Sequence, residues 1–142
     1  MRRSRRNTLQ TLGVGLSAWL AGCLNDADVP SVALHTVVAR NLDETRHTIS
    51  VQVERDGETI IETEVALAPR KAGYDSLAVL GDDFPSTVAP HRVTGEFADG
   101  SGEFDAQLHP APTHESDCID VEVRITPEGQ FSIWTSGTTD CE

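Results

Sequence analysis

The chain has 142 residues, of which 38% are hydrophobic and 24% charged. This is the composition of one globular domain, and the length excludes a multidomain enzyme. The 11 basic and 23 acidic residues give a formal net charge of −12. Because such a charge repels the phosphates of nucleic acids and of anionic lipids, we do not expect a nucleic-acid partner.

The first 22 residues have the organisation of an export signal. A basic region without acids precedes an apolar run from Leu12 to Gly22. That run is too short for a transmembrane helix, which needs about 20 residues. The adjacent pair Arg5-Arg6, followed closely by Leu9, resembles the twin-arginine translocation signal.

The segment that ends the apolar run resembles a lipobox, Leu20-Ala21-Gly22-Cys23. In a lipobox the small residues admit the signal peptidase, and the cysteine thiol accepts a diacylglyceryl group. The resemblance implies a protein anchored by lipidated Cys23 to the outer face of the cell membrane, because two acyl chains hold a protein stably. The alternative is a chance cysteine after an ordinary cleavage site.

This interpretation divides the chain into a signal peptide (1–22), a lipidated cysteine with a polar tether (23–31) and a domain (32–142). Removing the signal takes away four arginines and no acid, which changes the net charge from −12 to −16. The chain has many acids and a single lysine, Lys71. This composition is similar to that of haloarchaeal proteins, whose carboxylates hold hydrated cations. A cation-storage protein is the alternative, but it needs clustered carboxylates, and these acids are spread along the chain.

From Val32 onward the apolar residues alternate with polar ones, and Gly, Pro and Asp clusters interrupt the pattern every 8 to 12 residues. This pattern predicts an all-β protein, specifically an immunoglobulin-like sandwich of seven or eight antiparallel strands. The segment 69–90 is less regular and fits either an edge strand or a short helix.

Three hairpins are predicted. In the first, a three-residue loop at 56–58 pairs Val53 with Ile61, whereas a two-residue loop would pair Val53 with Ile60 and mix the two faces. In the other two hairpins we expect three pairs of apolar residues to face each other: Phe97 with Phe104, Val93 with Leu108, and Ile125 with Phe131.

Two cysteines remain besides Cys23, and in an exported protein they are expected to form a disulfide, Cys118–Cys141. Cys118 alternates in step with Asp120 and Glu122 along its predicted strand. We therefore expect its side chain to point to the outward face, as theirs do. The alternative is a pair of free thiols.

The potential metal ligands are few. His109, His114, Asp117 and Cys118 form one cluster, but a copper site of this kind also uses a methionine, and Met1 is the only one. The acidic loop 99–105 has alternating oxygen ligands, yet Phe104 stands where a calcium loop needs glycine. We therefore predict no metal and no cofactor, and keep copper or zinc at His109/His114 and calcium at 99–105 as the alternative.

No catalytic motif is present. The chain has neither Gly-x-Ser-x-Gly nor Ser-x-x-Lys, and His35, His47 and His91 each stand alone at a predicted strand edge. We predict that the protein is not an enzyme.

Trp134 is the candidate binding residue. It is out of phase with Phe131 and Ile133, so it should lie on the outer face opposite Glu122. An exposed tryptophan on a sheet is a platform for a sugar or a protein. We favour the alternative, in which Trp134 packs under the tail that carries Cys141.

Taken together, the chain resembles the small twin-arginine-exported lipoproteins of haloarchaea with an immunoglobulin-like domain. The stretches that carry this resemblance are 40–43, 47–51, 56–58, 118–121 and 133–136. The resemblance implies a membrane-anchored, non-enzymatic binding or structural module outside the cytoplasm, with a protein or glycan partner. It assigns no functional residue.

Overall fold

The computed structural model describes residues 29–71, 76–112 and 116–141. The predicted signal, Cys23 and most of the tether lie outside these residues. The described residues form eight strands: β1 (Ala33–Asn41), β2 (His47–Arg55), β3 (Glu58–Leu67), β4 (Ser76–Gly81), β5 (His91–Phe97), β6 (Glu103–Gln107), β7 (Cys118–Ile125) and β8 (Phe131–Gly137).

The strands form two four-stranded sheets. The first sheet has the order β4-β1-β7-β8, and the second sheet has the order β3-β2-β5-β6. The all-β sandwich is therefore confirmed. Every pair of neighbouring strands is antiparallel except β1 and β7, which are parallel. The order differs from that of an immunoglobulin constant domain, where the first two strands share a sheet, so the likeness lies in the sandwich architecture and not in the topology.

The core lies between the sheets. Alternate residues of the central strands point inward, and those of β2 (Ile49, Val51, Val53) and β7 (Val121, Val123) are almost fully buried. Burying a side chain of this size stabilises the fold by about 1.5–3 kcal/mol relative to leaving it in water. Three aromatic rings close one end of this core, because Phe131 of the first sheet packs on Phe97 and Phe104 of the second, with centroids 4.1 and 4.8 Å away.

The first hairpin has the predicted pairing but not the predicted loop. Val53 lies opposite Ile61, as expected, and Arg55 pairs with Glu58 around a loop of two residues. Asp56 and Gly57 have φ values of 52° and 79°, as a two-residue turn with the right-handed twist of the strands requires. A β-bulge then inserts Ile60, which returns the following apolar residues to the inner face.

The second hairpin is shifted by two residues from the prediction. Phe104 lies opposite Gly95 and not opposite Phe97, and Val93 lies opposite Ala106 and not opposite Leu108. Gly95 permits this register, because the Phe104 ring packs where a side chain at that position would lie. A Cβ atom there would lie 2.8 Å from Cζ of Phe104 and 2.8 Å from the carbonyl oxygen of Ser50.

The third hairpin agrees with the prediction, since Ile125 lies opposite Phe131. In the undecided segment 69–90, the strand alternative is correct for residues 76–81, because β4 is an edge strand of the first sheet and pairs with β1.

The predicted disulfide is present, and it joins Cys118 and Cys141 with their Cα atoms 5.8 Å apart. The predicted outward strand phase of Cys118 is correct, although its side chain is buried. The tail folds back over it, where the Thr138 amide donates a hydrogen bond to the Cys118 carbonyl at 3.0 Å.

Candidate binding surface on the first sheet

Trp134 lies on the outward side of β8, directly opposite Glu122 of β7. Its side chain is 54% exposed, so the favoured prediction that it packs under the tail is wrong. The tail turns at Thr138 and covers Cys118 at the start of β7. Glu122 lies four residues further along β7, and the ring beside it stays in contact with solvent.

Two neighbours determine the position of the indole ring. The guanidinium carbon of Arg124 lies 4.4 Å from the ring centroid, in cation–π contact. The indole Nε1–H donates a hydrogen bond of 3.0 Å to Oγ of Ser132. Arg124 and Ser132 are themselves directly opposite across β7 and β8. The ring therefore has one partner on its face and one at its N–H, although the residue is 54% exposed.

Glu122 connects two arginines on the same side of the sheet. Its Oε1 accepts a hydrogen bond from Nε of Arg124 at 2.5 Å, and it also lies 2.8 Å from Nε of Arg40. These groups are partly exposed, so the pairs add little to stability. Arg124 thus contacts both the Glu122 carboxylate and the Trp134 ring.

A pocket of about 150 Å³ adjoins the ring. Its wall combines the indole with carboxylate, hydroxyl and guanidinium groups, from Val38, Asp120, Val121, Glu122, Arg124, Trp134, Thr135 and Ser136. Asp120 is held in place through Oδ1, which accepts hydrogen bonds from His35 Nδ1 at 2.8 Å and from Thr36 Oγ1 at 2.5 Å. The polar side of the pocket therefore has a carboxylate whose position is set by two neighbouring side chains.

An apolar edge continues this surface. Four residues form one row across the four strands of this sheet: Val79 (β4), Val38 (β1), Glu122 (β7) and Trp134 (β8). Val79, at the edge, is 60% exposed. Leu77, two residues away on β4, is 52% exposed. We call the outward side chains of this sheet, from Leu77 and Val79 across to Trp134, the first-sheet face. It presents an aromatic ring, aliphatic groups and charges of both signs.

The outward side of the second sheet is different in character. A groove of about 650 Å³ there is lined by hydroxyl, amide and carboxylate side chains, including Glu62, Glu96 and Glu103. The Arg92 guanidinium pairs with Asp105 through two hydrogen bonds and holds the pKa of that carboxyl below its usual value. Carboxylates spread over an open face in this way fit the solvation of an acidic surface.

The predicted alternative metal ligands do not come together. Among residues 29–71, 76–112 and 116–141, no group of three or more His, Cys, Asp or Glu side chains is placed to hold a metal ion. His109 is exposed, His114 lies outside the described residues, and Cys118 is in the disulfide.

In the acidic loop 99–105, the carboxylates of Asp99 and Asp105 have different partners. Oδ1 of Asp99 accepts a hydrogen bond from the Ser101 amide at 2.9 Å, and hydrogen bonding to Ser101 lowers the pKa of Asp99. Asp105 is paired with Arg92.

Sequence reasoning missed two histidine–carboxylate pairs. His47 lies 2.6 Å from Asp43, and His35 lies 2.8 Å from Asp120. The four-residue spacing of Asp43 and His47 is a weak signal, and the 85 residues between His35 and Asp120 leave none. In both cases only the fold brings the partners together.

The protein is a β-sandwich domain with an aromatic and polar surface on the outward side of its first sheet. No protein-family model matches the chain, and no curated protein matches it. A solved NMR structure of a protein from Eubacterium rectale is similar over 75% of this chain and 93% of its own, with 15% identity and a TM-score of 0.36. In the described part of the chain, no helix is long and apolar enough to cross a membrane.

Proposed function

We propose that this protein is a non-enzymatic binding module, held at the outer face of the cell membrane by lipidated Cys23, and that the first-sheet face is its binding surface. The observation that carries the proposal is the Trp134 ring, which is 54% exposed yet fixed by Arg124 and Ser132 beside a pocket. Exposing an aromatic ring of this size to water is unfavourable, whereas a rigid exposed aromatic side chain suits a contact residue.

The proposed anchor and its tether would hold the domain within reach of other envelope components. Residues 24–31 reach at most about 28 Å at about 3.5 Å per residue. The ordered domain begins immediately after them, where the Val32 amide and carbonyl both bond to Ala89. A tether of this length keeps the domain near the membrane surface, within reach of other envelope components.

Metal binding receives no support from the described residues, because Asp99 accepts a hydrogen bond from the Ser101 amide, Asp105 pairs with Arg92, and Cys118 is in the disulfide. We therefore do not propose it as a second function.

A photo-cross-linking residue placed at Leu77, on the first-sheet face, tests the proposal in intact cells. We expect an adduct with an envelope component from Leu77, and we expect its yield to fall at least about tenfold in the Trp134→Ala background, since buried aromatic anchors dominate binding energy. The same cross-linker at Ile60, an exposed apolar residue of the second sheet, is the matched control. Adducts from Leu77 that persist in Trp134→Ala, or equal adducts from Ile60, would contradict the proposal.

A further inference from the structure

The pocket beside Trp134 is sized for a small ligand group. Its volume of about 150 Å³ is well below the roughly 300–1,000 Å³ of sites that enclose a drug-sized molecule. A space of this size matches one six-membered ring with its substituents. The open first-sheet face on either side allows such a ring to belong to a longer polymer.

The chemistry of the pocket wall matches a sugar ring. A pyranose has an apolar C–H face and a rim of hydroxyl groups that both donate and accept hydrogen bonds. The indole of Trp134 supplies a flat, electron-rich surface for the C–H face. The carboxylates of Asp120 and Glu122 accept hydrogen bonds from hydroxyl groups, and the Ser136 hydroxyl both donates and accepts them.

The charges around the pocket favour a neutral sugar. Asp120 and Glu122 both line it, and the chain carries a net charge of −12. The Nε atoms of Arg40 and Arg124 lie 2.8 and 2.5 Å from Oε1 of Glu122, so the two guanidinium groups and the two carboxylates together carry no net charge. An acidic sugar would therefore gain no net attraction in the pocket, and the negative charge of the chain would oppose its approach.

The site is organised before any ligand arrives. Oδ1 of Asp120 is held by His35 and Thr36, and the Trp134 ring is held by Ser132 and Arg124. Little side-chain entropy remains to be lost on binding, which is a main cost of forming a small interface.

We infer that this pocket binds a single neutral pyranose residue of an envelope glycan, with Trp134 stacking on the C–H face of the sugar and Asp120 accepting hydrogen bonds from its hydroxyl groups. The inference deepens the proposed function, on which it rests, by naming the class of ligand that the first-sheet face takes.

Nuclear magnetic resonance on the purified protein tests the inference with three neutral probes: methyl α-D-glucopyranoside, methyl α-D-mannopyranoside and methyl β-D-galactopyranoside. We expect at least one of them to shift the indole N–H signal of Trp134 with a dissociation constant in the range of about 1–10 mM, as befits so small a contact. The signal is assigned by its loss in Trp134→Phe, which separates it from the signal of Trp19. Methyl β-D-glucuronide, which carries a carboxylate, should bind at least about tenfold more weakly.

Two variants give independent readouts. Trp134→Ala should abolish binding. Because this variant lacks the indole N–H signal, binding is measured there by saturation transfer to the sugar protons. Asp120→Asn should weaken binding about tenfold, the effect of one charged hydrogen bond, while leaving the Trp134 signal in place. Ile60→Ala, on the second sheet, should bind like the unmodified protein.

The outcomes separate this inference from the proposed function. If no neutral glycoside shifts the Trp134 signal up to about 50 mM, far above a millimolar dissociation constant, the sugar site is refuted. If adducts from Leu77 still depend on Trp134 in that case, the proposed function stands with a protein partner. Glucuronide binding equal to or tighter than that of the neutral sugars would also overturn the inference, as would unchanged affinity in Asp120→Asn.

Discussion

The carboxylate of Asp43 and the imidazole of His47 are 2.6 Å apart, and together they tie the connection between β1 and β2 to the core. The His47 ring also packs against Phe97, with centroids 5.1 Å apart. The backbone of the same connection is held by the buried side chain of Asn41, which donates hydrogen bonds to the carbonyls of Thr45 and Ala68. This connection leads from the first sheet to the second, so these contacts link the two sheets.

The Asp43–His47 pair predicts a loss of stability in acid. The hydrogen bond from His47 lowers the pKa of Asp43 below its usual value of 3.8. The stabilisation is therefore complete above the unfolded pKa and is lost as the pH falls through the lower, folded pKa. Urea unfolding at pH 7 and at pH 3 should show that Asp43→Asn is less stable than the unmodified protein at pH 7 and that this difference shrinks at pH 3. The exposed Asp82→Asn is the control. A difference that stays constant with pH would contradict this account.

His91 predicts a second loss, nearer to neutral pH. The side chain is buried, and Nδ1 donates a hydrogen bond of 2.9 Å to the Ala89 carbonyl. Burial lowers its pKa below 6.5, so the unfolded chain takes up this proton first as the pH falls. Stability should therefore decline from about pH 6.5 downward until the folded pKa is reached.

His91→Gln should be less stable than the unmodified protein at pH 7.5. Its free energy of unfolding should also fall less between pH 7.5 and pH 5.5, because the contribution of His91 is gone. The free energy of unfolding, measured in urea at both pH values, gives the comparison. His109→Gln, at an exposed histidine, should keep the slope of the unmodified protein. An unchanged slope in His91→Gln would assign the decline to other groups.

The disulfide predicts a large contribution to stability. Cys118 and Cys141 are separated by 23 positions, and closing a loop of that length stabilises the folded state by about 3 kcal/mol in the chain-entropy model. We expect the Cys118→Ala/Cys141→Ala double variant to lose about this amount in urea unfolding. The unmodified protein under reducing conditions should show a similar loss. A loss below about 1 kcal/mol would mean that the tail is held by its other contacts.

Gly95 predicts a steric cost at the second hairpin. A methyl group there would lie 2.8 Å from Cζ of Phe104 and from the Ser50 carbonyl oxygen. We expect Gly95→Ala to destabilise the protein by about 1–3 kcal/mol, the usual cost of overpacking. Adding Phe104→Leu should recover only part of the loss, because the contact with the backbone of Ser50 remains. Full recovery would show that the Phe104 ring alone selects glycine at this position.

Trp134 and Cys118 show where strand phase is sufficient and where it fails. Phase alone correctly places Trp134 opposite Glu122, since alternation along one hairpin is a local property. Whether an outward residue is covered depends on chain that arrives from elsewhere. The tail covers Cys118, whose predicted outward phase is correct, and it leaves Trp134 exposed, although the favoured prediction has the tail cover Trp134.

The local pattern of the chain by itself determined the strands outside 69–90, the pairing of Val53 with Ile61 and the cysteine partners. Those features follow from alternation, turn chemistry and the number of cysteines. Only the tertiary structure decided the parallel pairing of β1 with β7, the bulge at Ile60, the shift over Gly95 and the pocket beside Trp134. Each of these depends on side chains or strands from different parts of the chain filling one space, and the periodicity of a single strand contains no information about that.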